Sequence, residues 1–331
     1  MEKMKWGILG CAAIAERAVI PAIHQSEWNE VFAVASRNRD KARDYASVNN
    51  IPHYYDSYEA LLNDESIDAV YIPLPNHLHK QWTIKAMEAG KHVLCEKPIT
   101  LTASEAEEIA AVSKRTGKLA VEAFMYRYQA RFSIVRSLID KGEIGDIRLF
   151  KGSFTFNSSS KTEDVRYVKE WGGGSLYDVG CYPISAARLL LQAEPIAATM
   201  QGLFSDTYGG VDMFASGLLE FPNQTAALID CGMWAAFRNE IELIGTEGVI
   251  KIPHAFVPSN DDETAIYVEK NGETIRHAAP YINSYILQVD TFAKAVRLGE
   301  AIPYTIEDAI LNMKVIDAAL KSMEKSQRVE I

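Results

Sequence analysis

The chain has 331 residues, 48% hydrophobic and 24% charged, values ordinary for a folded globular protein that exclude a disordered one. At about 150 residues per domain the length predicts two domains. Lys and Arg number 34 against 44 Asp and Glu, a net charge of −10, so nothing in the charge draws the chain to nucleic acid or to an anionic membrane. A phosphate-bearing ligand would need a local positive field. Cysteines stand at 11, 95, 181 and 231 with no CxxC pair, which argues against a zinc knuckle or a disulfide framework and points to a reduced, intracellular chain. The apolar stretches are too short to span a bilayer. Near the N-terminus Lys3 and Lys5 precede an apolar run, but Glu16 and Arg17 cut it. It reads as a strand turning into a helix rather than as a signal peptide, and the expected location is the cytoplasm.

The first third alternates strand and helix. Residues 5–9 form an apolar run ending at Gly10, and a helix follows over 13–25, which Pro21 is expected to break in two. Strands are expected at 31–35, near Tyr54, and at 69–72, 92–95 and 119–121. Helices are expected at 40–48, 58–62, 77–89 and 104–116, the last two ended by Gly90 and Gly117. Strands apolar on both faces and joined by helices predict a parallel, doubly wound α/β sheet. Such a sheet binds ligands beyond the C-terminal ends of its strands. This first domain is placed at residues 1–122.

After residue 122 the pattern changes. A helix over 132–140 leads to strand-like 147–156, a serine-rich loop at 158–160, a glycine turn at 172–174 and a helix over 182–191. Strands then follow one another at 214–221, 225–234, 240–244 and 249–252, and amphipathic helices at 285–298 and 306–323 close the chain. Consecutive strands predict an antiparallel sheet, so residues 123–331 read as a separate α+β domain.

The residues with chemistry sit at predicted strand ends. Gly10-Cys11-Ala12-Ala13-Ile14-Ala15 holds only the first glycine of a G-x-G-x-x-G dinucleotide turn. Taken alone it is a tight turn common to many α/β proteins. Ala35-Ser36-Arg37-Asn38 follows the second strand, where an NAD site places Asp or Glu for the ribose 2′-hydroxyl. A hydroxyl and a guanidinium suit a 2′-phosphate instead, which argues for NADP over NAD. Pro73-Leu74-Pro75-Asn76-His77-Leu78-His79 reads as a rigid cofactor-contact turn with Asn76 capping the next helix. His77 and His79, two apart with no acidic or cysteine ligand nearby, make a poor metal site, so no metal is expected. Glu96-Lys97-Pro98 ends the fifth strand, where a lysine can relay protons or lower the pKa of a neighbouring acid.

In the second domain Gly172-Gly173-Gly174-Ser175-Leu176-Tyr177-Asp178-Val179-Gly180-Cys181-Tyr182 stands out. Its glycines are read as allowing close backbone approach to a ligand. Asp178 and Tyr182, four apart, share a helix face. Tyr182 is a candidate acid/base, with Lys97 as the cationic neighbour across the domain cleft. Phe154, Arg166, Trp171 and Tyr281 are candidate pocket walls.

Taken in order, Trp6-Gly7-Ile8-Leu9-Gly10-Cys11-Ala12, Ala35-Ser36-Arg37, Pro75-Asn76-His77-Leu78-His79, Glu96-Lys97-Pro98 and the 173–182 motif resemble the glucose-fructose oxidoreductase/inositol dehydrogenase/MocA family of NAD(P)-dependent oxidoreductases. The resemblance implies an N-terminal Rossmann domain. It also implies a C-terminal α+β domain with a large, mostly antiparallel open sheet that binds substrate and dimerises. It assigns Lys97 as catalytic beside the nicotinamide, with Gly10, Ala12, Ala13 and Ile14 on the pyrophosphate and Ser36 and Arg37 on the 2′-phosphate. Leu74, Asn76, His79 and Glu96 would line the nicotinamide ribose. Many members carry Asp-x-Gly-x-His-x-x-Asp, where this chain has Asp178, Gly180, Tyr182 and Ser185. The missing histidine argues against inositol-type activity. Tyrosine there, with Glu122-Ala123-Phe124-Met125-Tyr126-Arg127, is similar to dimeric dihydrodiol dehydrogenases and NADP-dependent D-xylose dehydrogenases. The implied activity is hydride transfer between NADP and an aldose or a trans-dihydrodiol, by a homodimer or a dimer of dimers. A catalytically silent sensor of NADP and sugar on the same fold is the alternative.

Overall fold

The computed structural model describes residues 2–160 and 163–331. Its contacts divide the chain into one unit running to Met125 and including Ile282–Ile310, and a second of Tyr126–Tyr281 with Leu311–Ile331.

The first unit holds strands β1 (Met4–Leu9), β2 (Asn29–Ala35), β3 (His53–Tyr55), β4 (Ala69–Ile72), β5 (His92–Cys95) and β6 (Ala120–Glu122). They pair in parallel in the order β3-β2-β1-β4-β5-β6. Every residue of β4 is buried, as expected for a strand covered on both faces. The order reverses direction between β1 and β4, and ligand crevices of such sheets open at that point. Pro21 does not break its helix. A π turn, Ala15–Val19, runs directly into the helix Ile20–Gln25, and this wider turn accommodates the hydrogen bond that proline cannot donate.

The helix Ser284–Leu298, far away in sequence, belongs to this unit through identifiable contacts. Phe292 packs against Trp6 with ring centroids 5.2 Å apart, both side chains being buried. Asp290 accepts from Ser26 and Asn29, and Arg297 pairs with Asp68 at 2.6 Å.

The second unit holds β7 (Ile147–Asn157), β8 (Ala197–Ser205), β9 (Val211–Phe221), β10 (Thr225–Gly232), β11 (Trp234–Gly245), β12 (Val249–Pro253), β13 (Ile266–Lys270), β14 (Glu273–His277) and β15 (Val329–Glu330). They form one sheet, β14-β13-β12-β11-β7-β10-β9-β8-β15, antiparallel except where β10 runs parallel to β7. The helix Cys181–Leu191, preceded by a second π turn at Leu176–Gly180, packs on β7 and β10. No helix among the described residues is long and apolar enough to cross a membrane.

Two stability outcomes follow. Phe292→Ala removes a buried ring from the first unit's core and should cost about 3–5 kcal/mol in denaturant unfolding. His92 accepts the Leu119 N–H at Nδ1, and burial pulls its pKa down to about 4. The unfolded chain therefore takes up this proton first, and stability falls as pH drops from about 6.5 toward 4. His92→Gln, which keeps an acceptor but does not titrate, should flatten that acid limb.

Candidate active site

In the first unit the singled-out residues gather where the strands stop. Gly10 leaves β1 at φ +108°, a conformation glycine adopts without strain, and its N–H donates to Ala35 O at 2.9 Å. A Cβ there would lie 2.9 Å from Leu74 Cδ2, so the turn after β4 closes directly on the turn after β1. The helical run begins at Ala13, and a helix start leaves N–H groups free for an anion. Ala12 and Ile14 are half-buried there, and Tyr45 donates to the Ala12 carbonyl at 2.9 Å.

Ser36 is buried, and its hydroxyl accepts from the Asn38 N–H. Arg37 is exposed beside the Tyr58 hydroxyl and His77, and its charge pulls down both their pKa values. For Tyr58, burial outweighs that pull and leaves the pKa raised; for His77, burial is the larger cause of a lowered value. Asp40, the nearest acid in sequence, is paired with Arg43 at 2.9 Å. An exposed guanidinium at the end of β2 is a group that suits a phosphate.

Glu96 is held from three sides. Tyr71 donates to its Oε1 at 2.6 Å, the Lys97 N–H reaches Oε2 at 3.3 Å, and its own N–H bonds Ile72 O. Burial, then the Glu96 charge, pushes the Tyr71 phenol far above its usual range. Lys97 is half-buried at the end of β5, and its peptide bond to Pro98 is cis.

His79 differs from the expectation of a ribose-lining side chain, because its ring is fully buried. Its nitrogens lie 2.8 Å from Pro98 O and 2.7 Å from Leu74 O, and the ring, neutral at pH 7, donates to one of these carbonyls while packing between the turns after β4 and β5. Burial holds its pKa down to about 4 against those two carbonyls. Asn76 opens a 3₁₀ turn, Asn76–Leu78, and the helix His79–Glu88 begins without a side-chain cap, so Asn76 is not the cap that was expected. Among the described residues no group of three or more potential ligands could hold a metal.

In the second unit Tyr182 is buried within an aromatic cluster. Ring centroids of Phe154, Phe256 and Tyr126 lie 5.2, 5.4 and 5.8 Å from its own. Phe154 stacks on Phe256 at 13° and meets Phe237, an exposed ring, edge-on. Arg131, buried beneath, donates to the carbonyls of Pro253, His254, Ala255 and Glu263, which fixes the segment carrying Phe256.

Asp178 accepts from Arg166 Nε at 2.7 Å, and Arg166 also pairs with Asp164 at 3.1 Å. Asp178, then Asp164, raises the Arg166 pKa further against its burial. Arg166 is therefore committed to two carboxylates. Trp171 and Tyr281 are 40% and 39% exposed, which leaves their rings open to solvent.

The glycines differ from the expected role of admitting a ligand. Gly173 and Gly174 donate to Val168 O and Arg166 O, and a Cβ on Gly173 would lie 2.6 Å from Arg166 O. Gly174, at φ +116°, has no room for a Cβ beside Asp212. The close approach is to the chain itself.

Three residues near Tyr182 lay outside the expected site. The Ser185 hydroxyl, one helical turn on, lies 2.5 Å from Tyr126 Oη and accepts from Arg127 Nε at 2.9 Å. The 122–127 run, marked above by its resemblance, carried the signal for Tyr126 and Arg127.

Residues 4–124 match the family model of an oxidoreductase family with an NAD-binding Rossmann fold, and residues 132–251 match the GFO/IDH/MocA C-terminal domain. The chain is 37% identical over 333 residues to D-xylose 1-dehydrogenase (NADP(+)) 2 of Haloferax volcanii, covering 99% of this chain and 100% of that one. It is 32% identical over 255 residues to a trans-1,2-dihydrobenzene-1,2-diol dehydrogenase of Xenopus laevis, covering 75% of each. The crystal structure of the 3-ketoreductase KijD10 from Actinomadura kijaniata with NADP and TDP-benzene is similar at a TM-score of 0.91. Identity is 32%, with 97% of this chain and 98% of that one covered. With both halves matched by paired family models and near full-length relatives at this identity, the chain belongs to the Gfo/Idh/MocA family of oxidoreductases.

Proposed function

We propose that this oxidoreductase uses NADP and moves a hydride between C4 of the nicotinamide and the carbinol or carbonyl carbon of a sugar, an aldose such as D-xylose, or of a trans-dihydrodiol. The observation that carries the reading is Lys97, presented at the end of β5 beside a Glu96 locked by Tyr71. The first unit fits the cofactor. Gly10 clears the turn, the helix start at Ala13 offers N–H groups to the pyrophosphate, and exposed Arg37 with Ser36 suits the 2′-phosphate. Leu74, Asn76 and Glu96 would border the ribose, with His79 holding that wall in place. When bound, the nicotinamide accepts or returns the hydride.

The remaining chemistry falls to the chain. In oxidation a C–H bond of the substrate gives up its hydride to the nicotinamide, and the hydroxyl on the same carbon loses its proton to the Tyr182 phenolate, which becomes the phenol. Lys97 is read as the cationic group of this chemistry, beside the nicotinamide. Asp178, oriented by Arg166, sets the substrate against Tyr182. Phe154 and the rings around it offer an apolar wall suited to a ring-shaped substrate, with Trp171 and Tyr281 as outer wall residues.

The working form is read as a cytoplasmic homodimer or dimer of dimers. The four cysteines are free thiols. In β10 Ala227, Ile229 and Cys231 are buried while Leu228 is exposed on the other face, the face read as meeting a second copy.

Initial rates with NADP+ and NAD+ over aldoses, polyols and trans-dihydrodiols test the reading. Reduction of NADP+ should dominate, and Arg37→Ala should narrow the preference about tenfold or more. Lys97→Ala should keep NADPH binding and lose turnover by about 100-fold or more. A clear NAD+ preference, or near wild-type turnover in Lys97→Ala, contradicts it.

A further inference from the structure

The glycine turn and the π turn after it converge on a group that the proposed chemistry does not use. Asp212, in β9, is 3% exposed. A carboxylate that deep is costly unless fully hydrogen-bonded. Its Oδ2 accepts the Ser175 hydroxyl at 2.7 Å and the Leu176 N–H at 2.8 Å. Burial, the largest cause, raises its pKa to about 6, and the bonds from Ser175 and Leu176 pull it back. The side chains beside it are Ser175 and Cys231, whose own thiol is pushed up first by burial and then by the Asp212 charge; Asp230 adds a smaller contribution. The nearby Arg166 is committed to Asp164 and Asp178.

From Asp212 one chain of hydrogen bonds and one close backbone contact lead to the residues read above as acid/base and orienting groups. Leu176, held by its N–H, accepts at its carbonyl from the N–H of Cys181, the residue before Tyr182. Gly174 lies against Asp212, and its carbonyl accepts the Asp178 N–H at 3.0 Å. A carboxylate at this helix start also opposes the positive end of the helix dipole. Gly174 is needed because any Cβ would strike the Asp212 carboxylate.

We propose that Asp212 is a positioning residue, a buried clasp that sets the start of the Asp178–Tyr182 helix and thereby the aim of both side chains. The inference rests on the assignment of Tyr182 above. The full-length enzyme in Asp212→Ala, Asp212→Asn and Ser175→Ala forms tests it, with NADP+ and its best substrate. Asp212→Ala should lower kcat about 10- to 100-fold with KM for NADP+ within about twofold, since a displaced reacting group costs rate rather than cofactor affinity. Asp212→Asn keeps an acceptor oxygen and should restore most of that loss, with Ser175→Ala in between.

A second readout is independent of turnover. In protein labelled with 13C at tyrosine Cζ, the resonance assigned through Tyr182→Phe should shift or broaden in Asp212→Ala and return in Asp212→Asn. Unchanged kcat and an unchanged Tyr182 resonance in Asp212→Ala would overturn the clasp, as would an Asp212→Asn variant as impaired as Asp212→Ala. Should wild-type protein bind NADPH without turning over any substrate, the functional reading fails while the resonance still decides the clasp.

Discussion

A parallel sheet buried on both faces can show polar groups only where its strands stop, and the first unit is organised by that constraint. The central strands β4 and β5 are buried almost throughout, so the residues able to touch a ligand are pushed to the strand ends. Gly10 follows β1, Ser36 and Arg37 follow β2, the Leu74–Asn76 turn follows β4, and Glu96 and Lys97 follow β5. The edge is braced from behind. The His79 ring is packed between the carbonyls of Leu74 and Pro98 and donates to one of them, and Tyr71 bonds Glu96. These buried contacts hold the strand-end turns in a fixed relation, as a lysine that must act on one atom requires.

The second unit solves a similar problem with different means. Tyr182 sits on a helix packed on β7 and β10, ringed by aromatic side chains that fix its orientation. The turn feeding that helix is pressed against the chain, with Gly173 on Arg166 and Gly174 on Asp212. In both units a π turn stands just before a proline, at Ala15–Val19 before Pro21 and at Leu176–Gly180 before Pro183. Each lets a helix continue through a residue that cannot donate.

Strand ends and their residues could be read from the sequence because both depend on local pattern. A run of apolar residues stopped by Gly10 or by Glu96-Lys97-Pro98 locates an edge without any knowledge of the fold. The absence of an acid at Ser36-Arg37-Asn38 is visible in the same way. Properties set by distant partners could not be read. Asp212 lies 37 positions from Ser175, so the glycines pointed to a ligand when their partner was a carboxylate of the chain itself. The burial of His79 depends on Pro98, in the turn after another strand. The helix with Phe292 belongs with β1 through a contact to Trp6 that no local pattern reveals. The π turns escaped as well, since a five-residue change of pitch hardly alters the spacing of apolar residues.

The central claim is that substrate hydrogen passes to the nicotinamide while Tyr182 exchanges the hydroxyl proton. Its most direct test is the oxidation of an aldose deuterated at C1, followed in wild-type protein and in Tyr182→Phe. The account predicts deuterium at C4 of the reduced cofactor, a primary isotope effect on kcat, and loss of most turnover in the phenylalanine variant with cofactor binding intact. Cofactor that binds but never acquires deuterium from any substrate, or a Tyr182→Phe enzyme as fast as wild type, would contradict it.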